Sequence, residues 1–366
     1  MCLHYRMTLK REKMAFSQKK AEAALNEFDK IVKPVSLYAD AWKRLKKNKM
    51  AFAGLIIVLF YFVLSLAAPL LPLYPYERQE MRHIYLPPSF DTAGNVMIRV
   101  QENYLTRLMT AEGRTQYTEK EQNELDAMKL DALTDPVHKR VYLFGTDILG
   151  RDILSRAIYG GRISLGIGLV GTITALLIGI AWGAIAGYNG GRIDNVMMRI
   201  VDIIYGLPYM MVVIVFMALF GGRSIYLLFV AIALVSWLTI SRVVRGQIIS
   251  LKNSEFIEAA KSIGAGTPRI IAKHLLPNTL GIIIIYSTLS FPGFIMSESF
   301  LSFLGLGVSA PMSSWGSLID EGVKSMELYP WLLIVPAAMM TVFLFAMNFL
   351  GDGLRDAFDP QGKNRT

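Results

Sequence analysis

The sequence predicts an all-α integral membrane protein with six transmembrane helices. Two observations carry that prediction. Of 366 residues, 53% are hydrophobic and only 18% charged, and mean hydropathy is positive, a balance that belongs to polytopic membrane proteins rather than soluble domains. Six runs, residues 50–76, 163–191, 203–222, 224–241, 275–297 and 328–351, contain no Asp, Glu, Lys or Arg. Each is about long enough to cross a hydrocarbon core of ~30 Å at ~1.5 Å per residue. A seventh such run, residues 299–319, carries "GLGVSAPMSSWGS". Irregular backbone of that kind cannot face lipid with its peptide groups unsatisfied, so a loop, re-entrant at most, is expected there.

Residues 1–49 hold 13 basic and 5 acidic side chains, net +8 of the chain's +9, which places the N-terminus in the cytoplasm by the positive-inside rule. Six crossings return the C-terminal tail, residues 351–366, to the same side. Residues 242–278 agree, with 6 basic against 2 acidic, whereas residues 71–146 carry 9 basic against 11 acidic and belong outside. The abutting "AWKRLKKNK" suits anionic lipid better than nucleic acid. The lone cysteine, Cys2, rules out an intramolecular disulfide. "SLA" at 65–67 resembles a cleavage site, but a 49-residue leader is too long for a signal peptide.

After the first span, residues 77–146 read as a small external insertion, with a hairpin at 91–95 and helical spacing through Leu125, Met128, Leu130 and Leu133. Next comes "FGTDILGRDILSRAIYGGRISLGIGLVG", residues 144–171. Thr146 or Asp147 is expected to cap a helix whose apolar face (Leu149, Ile153, Leu154, Ala157, Ile158) lies in the membrane interface ahead of the second span. Arg151, Arg156 and Arg162 then stand outside, as long external loops permit. Near the inner end of the third span, Arg199 and Asp202 are one turn apart and are expected to pair or to line a pathway. Glu298, near the outer end of the fifth span, is a membrane-depth carboxylate and hence a functional candidate, with hydrogen bonding as its structural role. Pro208, Pro292 and Pro336 are expected to bend spans three, five and six.

Between the fourth and fifth spans lies "EFIEAAKSIGAGTPRIIAKHLLPN", residues 255–278. Ser254 can cap a helix, Glu255 suits its positive first turn, and Phe256, Ala260 and Ile263 share an apolar face. Gly264 can stop that helix in the left-handed region. Thr267 and Pro268 then start a second helix as N-cap and first residue, ended by Pro277. A cytoplasmic helical hairpin with small side chains at Ala259 and Ala260 suits a partner's groove; bulkier anchors would suit a lipid surface.

The order Glu258-Ala259-Ala260, three residues, Gly264, then Leu276-Pro277 resembles the EAA loop of binding-protein-dependent ABC importer permeases, and "KHLLPN", with His274 as a helix-end residue, resembles their peptide branch. Residues 144–171, with "ESFLSFLGLG" and "SSWGSLI", are similar to the C-type subunit of dipeptide and oligopeptide importers. The resemblance implies a type I importer permease fold. Its parts are a basic segment (1–49), a first span (50–76), the insertion (77–146), a permease core (147–350) holding the loop 242–278, and a tail (351–366). It implies a bacterial inner-membrane subunit forming half of a peptide pathway, with a second homologous permease, two ATP-binding subunits and an external substrate-binding protein as partners. Phe256, Glu258, Ala259, Ala260, Ile263 and Gly264 would couple to the ATPase, with Glu298, Pro292, Arg199 and Asp202 as pathway candidates. No G-x-x-x-x-G-K-[ST] occurs, so ATP and Mg would be bound by the partners, and four scattered His with one Cys suggest no metal cluster. A nickel-chelate permease shares these motifs, and a polytopic sensor or scaffold is the reading from another class.

Overall fold

A computed structural model describes residues 37–220 and 224–358; most of the basic N-terminal segment, Cys2 and the end of the C-terminal tail lie outside the described residues. Residues 1–43 and 44–366 form two units. Described residues of the first belong to the start of helix α1 (Leu37–Lys47), and everything below concerns the second. Among the described residues, five helices are long and apolar enough to cross a membrane, or six if one bent pair counts as a single span.

The unbroken spans are α2 (Lys49–Ala67), α5 (Ile153–Asn189), α8 (Ile225–Leu251), α11 (Leu276–Phe303, preceded in the same long helix by residues from Thr267) and α13 (Trp331–Phe358). The third span is the bent pair, α6 (Gly191–Tyr205) and α7 (Tyr209–Leu219), which meet at 81°. Charge-free residues 203–222 therefore cover only its apolar half, because α6 carries Arg192, Asp194, Arg199 and Asp202 on a polar face. The break falls at Gly206-Leu207-Pro208. Proline has no N–H and pushes the preceding residue out of the helical region, so the ladder stops there. Pro292 and Pro336 lie inside α11 and α13, which continue through them.

α5 packs most extensively on α8. Buried small residues repeat every fourth position along α5: Gly171, Ala175, Gly179, Gly183 and Gly187. A Cβ on Gly179 would stand 2.8 Å from Ile240 Cβ, one on Gly187 2.9 Å from the Arg245 carbonyl, and one on Gly183 would overlap the Ser241 carbonyl. In lipid, where burying Leu gains nothing over acyl chains, such close backbone approach supplies the van der Waals contact that joins helices.

No separate interfacial helix precedes α5. Its N-cap is Asp152, whose carboxylate accepts from Leu154 N at 3.3 Å and Ser155 N at 3.2 Å, so the apolar face from Ile153 onward simply continues into the span. Thr146 and Asp147, expected as caps, are buried in the loop before it. Thr146 Oγ1 accepts from Leu86 N and donates to the His83 carbonyl. Asp147 accepts from Leu149 N and Arg151 N at 2.8 and 2.9 Å, and from the guanidinium groups of Arg151 and Arg156 at 2.7 and 2.6 Å. Arg156, 1% exposed, reaches on to Glu321 with two hydrogen bonds of 2.6 and 3.0 Å. Glu321 belongs to α12 (Trp315–Val323), a capped helix where only loop was expected. Residues 304–314 remain loop, and Trp315 then plugs the space among α2, α5 and α13: its indole N–H donates to the Ala157 carbonyl at 2.9 Å, with Tyr61 and Phe343 each 5.6 Å away.

The insertion is a helical hairpin, α3 (Ala93–Glu112) and α4 (Glu119–Thr134). The expected hairpin at 91–95 does not form: α3 already begins at Ala93, and Asp91 accepts from Thr92 N at 3.0 Å and from the Asn95 side-chain amide at 2.9 Å. Thr118 and Glu121 form a capping box, and Arg114 clamps Glu121 with two bonds of 3.0 Å. Leu125 is buried, whereas Leu130 and Leu133 are exposed. Beneath the hairpin the structure gathers histidines that looked scattered in sequence. His83 Nε2 is 2.8 Å from His138 Nδ1, His138 Nε2 is 2.9 Å from Asp131, and His83 Nδ1 is 3.0 Å from the Tyr142 hydroxyl. Burial, aided by His138, lowers the His83 pKa to about 4.

Two outcomes follow. Gly183→Val forces α5 off the Ser241 carbonyl and should cost at least ~1–3 kcal/mol, read as loss of monodisperse protein in detergent, whereas Val at Gly246, where a Cβ meets open space, should be mild. His83 stays neutral when folded and takes a proton near pH 6.5 when unfolded. Its contribution is therefore complete above ~6.5 and is lost as pH falls toward about 4. Hydrogen exchange of residues 81–142 should accelerate across that window, and His83→Gln should flatten the dependence.

Candidate coupling hairpin and pathway residues

α8 leads directly into α9 (Glu255–Ser262). Ser254 occupies the N-cap position but does not cap with its side chain, because its hydroxyl donates back to the Leu251 carbonyl at 2.6 Å. Gly264 ends the helix as expected, with φ +84°. Ala265 N donates to the Ala260 carbonyl at 3.0 Å and Gly264 N to the Lys261 carbonyl at 2.9 Å, the two reverse bonds of a Schellman stop. α10 (Thr267–Ile270) starts one residue earlier than expected, with Gly266 in the N-cap position and Pro268 in the first turn.

Pro277 does not end this second helix. A π-turn over Ile271–Leu275 intervenes, and Leu276 N donates to Ile271 O, five residues back. The widened turn relieves the clash between the proline ring and the carbonyl four residues earlier. The helix therefore continues from Thr267 to Phe303, so the hairpin's second arm and the fifth span are one continuous helix. His274 lies within that π-turn.

The face of α9 turned to the protein is also rotated from the expected one. Ile257 and Ala260, 0% and 4% exposed, are buried, and Ile257 joins Ile270 and Leu275 in the core. Phe256, Ala259 and Ile263, at i, i+3 and i+7, point outward, with Ile263 85% exposed. Glu255 and Glu258 flank them and are exposed. Ala260 is thus an anchor, and the free surface is a short apolar strip edged by carboxylates.

The pathway candidates fall in two places. Glu298 is completely buried in α11, with Oε1 accepting from Ser314 and Ser302 at 2.6 and 2.7 Å and Oε2 from Ser164 at 3.4 Å. Ser164 Oγ in turn accepts from Trp315 N at 3.1 Å, so the carboxylate ties α5, α11 and the start of α12 together. Pro292 is buried within the same helix. Arg199 and Asp202 lie elsewhere, on a cavity of about 920 Å³ that Arg242 and Arg245 also line. Asp202 pairs with Arg242 at 2.8 Å rather than with Arg199, because Arg242 stacks over Tyr205, 4.1 Å from its ring centre. Asp194 holds Arg245 with two bonds of 2.5 and 2.6 Å. The partners of Glu298 and Asp194 lie 4 to 134 residues away, and no local spacing announces the long-range ones.

Outside these sites, Asp131, Asp135 and His138 bring ligand atoms within 4.8 Å of one another. Arg82 already sits among them, 2.9 Å from Asp135 and 3.6 Å from Asp131, and supplies the cation itself.

Comparison with known proteins places the hairpin and its flanking spans in context. Residues 179–363 match the family model for the binding-protein-dependent transport system inner membrane component, and residues 36–88 match that for the N-terminal membrane domain of oligopeptide transport permease C. The chain is 41% identical over 337 residues to the dipeptide transport system permease protein DppC of Bacillus subtilis, covering 92% of this chain and 89% of that one. It is 41% identical over 328 residues to the oligopeptide transport system permease protein OppC of Haemophilus influenzae, covering 90% of each. With OppC of Escherichia coli K12 it shares 38% over 351 residues, 96% of this chain and 100% of that one.

If the exposed strip is a docking face, Ala259→Cys, with Cys2 replaced, should cross-link to a partner while Ala260→Cys stays protected in the free and assembled protein. Gly264→Val meets no steric neighbour but must adopt positive φ, a strain of ~1–3 kcal/mol. It should reduce cross-linking several-fold and leave the amount of inserted protein unchanged.

Proposed function

The chain belongs to the family of binding-protein-dependent transport system inner membrane components, and from that premise we propose that it is the C-type permease subunit of an ATP-driven importer for dipeptides or oligopeptides. The observation that carries the coupling half of this reading is the hairpin: a short apolar strip standing free of the body, on an element whose second arm is continuous with the fifth span. A force on α9 would reach the membrane through that arm without a flexible joint. The peptide substrate is supported by the relatives named dipeptide and oligopeptide permeases.

The working assembly would contain a second homologous permease, two ATP-binding subunits that hold ATP and Mg, and an external substrate-binding protein. This subunit would contribute half of the pathway and perform no covalent chemistry. Both termini and the hairpin would face the cytoplasm, in keeping with the basic charge of residues 242–278, and α3 and α4 would face the compartment from which cargo arrives. The polar cavity beside Arg199, Asp202, Arg242 and Arg245 would then open at the cytoplasmic end of the pathway. Glu298, with its hydroxyl partners satisfied, would hold the outer loop to the spans rather than meet substrate.

Reconstitution into proteoliposomes tests the assignment. Uptake of labelled di- or oligopeptide should require ATP and the binding protein, and a complex that moves nickel chelates but no peptide would overturn the peptide substrate while leaving the importer class intact.

A further inference from the structure

At the ends of α2 and α5 farthest from the hairpin lies a cavity of about 520 Å³. Phe62, Tyr76 and Tyr159 wall it, with the two tyrosine rings stacked 4.6 Å apart. Leu66 and Leu169 extend it, and Arg162 stands at its edge. Arg162 is exposed, and among the described residues no carboxylate is paired with it.

Arg162, Gly166, Leu169, Ile173 and Leu177 follow one another at i, i+4, i+7, i+11 and i+15, which is one face of α5. The last three are 45%, 45% and 70% exposed. The strip from Arg162 to Leu177 is about 22 Å long at ~1.5 Å per residue, enough to cross one leaflet, half of a ~30 Å core. It begins with a cation and continues as an apolar lane with a hollow at its upper end. The lining is mostly apolar, with Ser65 and Ser313 among the apolar side chains, and in a bilayer the available apolar filler is an acyl chain. A guanidinium at the end of such a lane is matched by phosphate, which it can meet bidentately.

We propose that this hollow is a binding site for one phospholipid, its phosphate on Arg162 and one acyl chain lying in the cavity and along Leu169, Ile173 and Leu177. The lipid would fill the gap between α2 and α5 that protein side chains leave open. Gly166 makes room for it: a Cβ there meets open space, so a larger side chain would occupy the lipid's place without displacing protein atoms.

The test uses the purified full-length protein, stripped of lipid in detergent and titrated with phosphatidylglycerol under native mass spectrometry. Inorganic phosphate and diacylglycerol serve as separate competitors, and a phosphatidylglycerol with a photoreactive acyl chain locates the site. One tightly held lipid is expected, cross-linked near Leu66 and Leu169. Arg162→Gln should weaken it about tenfold, the loss of a charge-assisted contact, and Gly166→Leu should abolish it while leaving the helical circular dichroism unchanged. Competition by phosphate alone would reassign Arg162 to a free anion, and by diacylglycerol alone would reduce the site to a grease pocket. Retention unchanged in both variants, or cross-links on another face, would overturn the proposal outright. Should Gly166→Leu fail to fold, Arg162→Gln and the cross-link map decide.

Discussion

The contact on which the rest of the structure depends is the seam where α5 meets α8 through glycine and alanine. Lipid removes the ordinary hydrophobic driving force between spans, since a leucine is equally content against an acyl chain. What remains is contact at short range, and Gly179, Gly183 and Gly187 provide it by letting the α8 backbone approach to where a Cβ would be. The consequence is positional. α8 ends at Leu251 and α9 begins four residues later, so the seam fixes where the hairpin stands. Lys252 reinforces it by donating to the Gly187 carbonyl at 3.2 Å, and Asp194 with Arg245 ties α6 to the same corner.

The opposite end is held by different chemistry. There the connections are irregular, and irregular backbone at the edge of a membrane needs partners for its polar groups. Asp147, Arg151, Arg156 and Glu321 supply a charged network, and Glu298 gathers three serine hydroxyls from separate elements. A pair of charges buried in this way gives little net stability, but removal of one member leaves the other unpaired at high cost. Its effect is therefore to specify one arrangement of the loops around Trp315. The seam holds helices by shape and the far end holds loops by charge, and the two do not overlap.

Between them stands the hairpin, which on the proposed reading would transmit displacement. Its first arm is clamped through Ile257 and Ala260, its turn is closed by two reverse hydrogen bonds at Gly264, and its second arm runs through a π-turn into the fifth span. Pro277 would ordinarily mark a joint, and the widened turn removes it. On that reading, movement at α9 would be shared with α11, the helix that carries Glu298 and Pro292.

The sequence by itself determined the class of protein, the number of apolar runs, the helix-stop at Gly264 and the amphipathic character of α9, whereas of three prolines expected to bend spans only Pro208 falls at a break between helices. The determined features are properties of one residue or of a local period, and glycine's freedom at positive φ and the apolar run length act without reference to the rest of the chain. Resemblance of "EAA" and "LPN" to importer permeases supplied the family, which full-length similarity then established. Tertiary structure alone decided which face of α9 is buried, since Phe256 and Ile257 are equally apolar and only the position of the core separates them. It decided that Asp202 pairs with Arg242, that Asp147 serves arginines instead of capping a helix, and that residues 315–323 form a helix around a buried tryptophan. These outcomes are settled by partners from 4 residues away, as for Asp147 with Arg151, to 158 away, as for Trp315 with the Ala157 carbonyl, and burial removes the water that would otherwise make the choice indifferent.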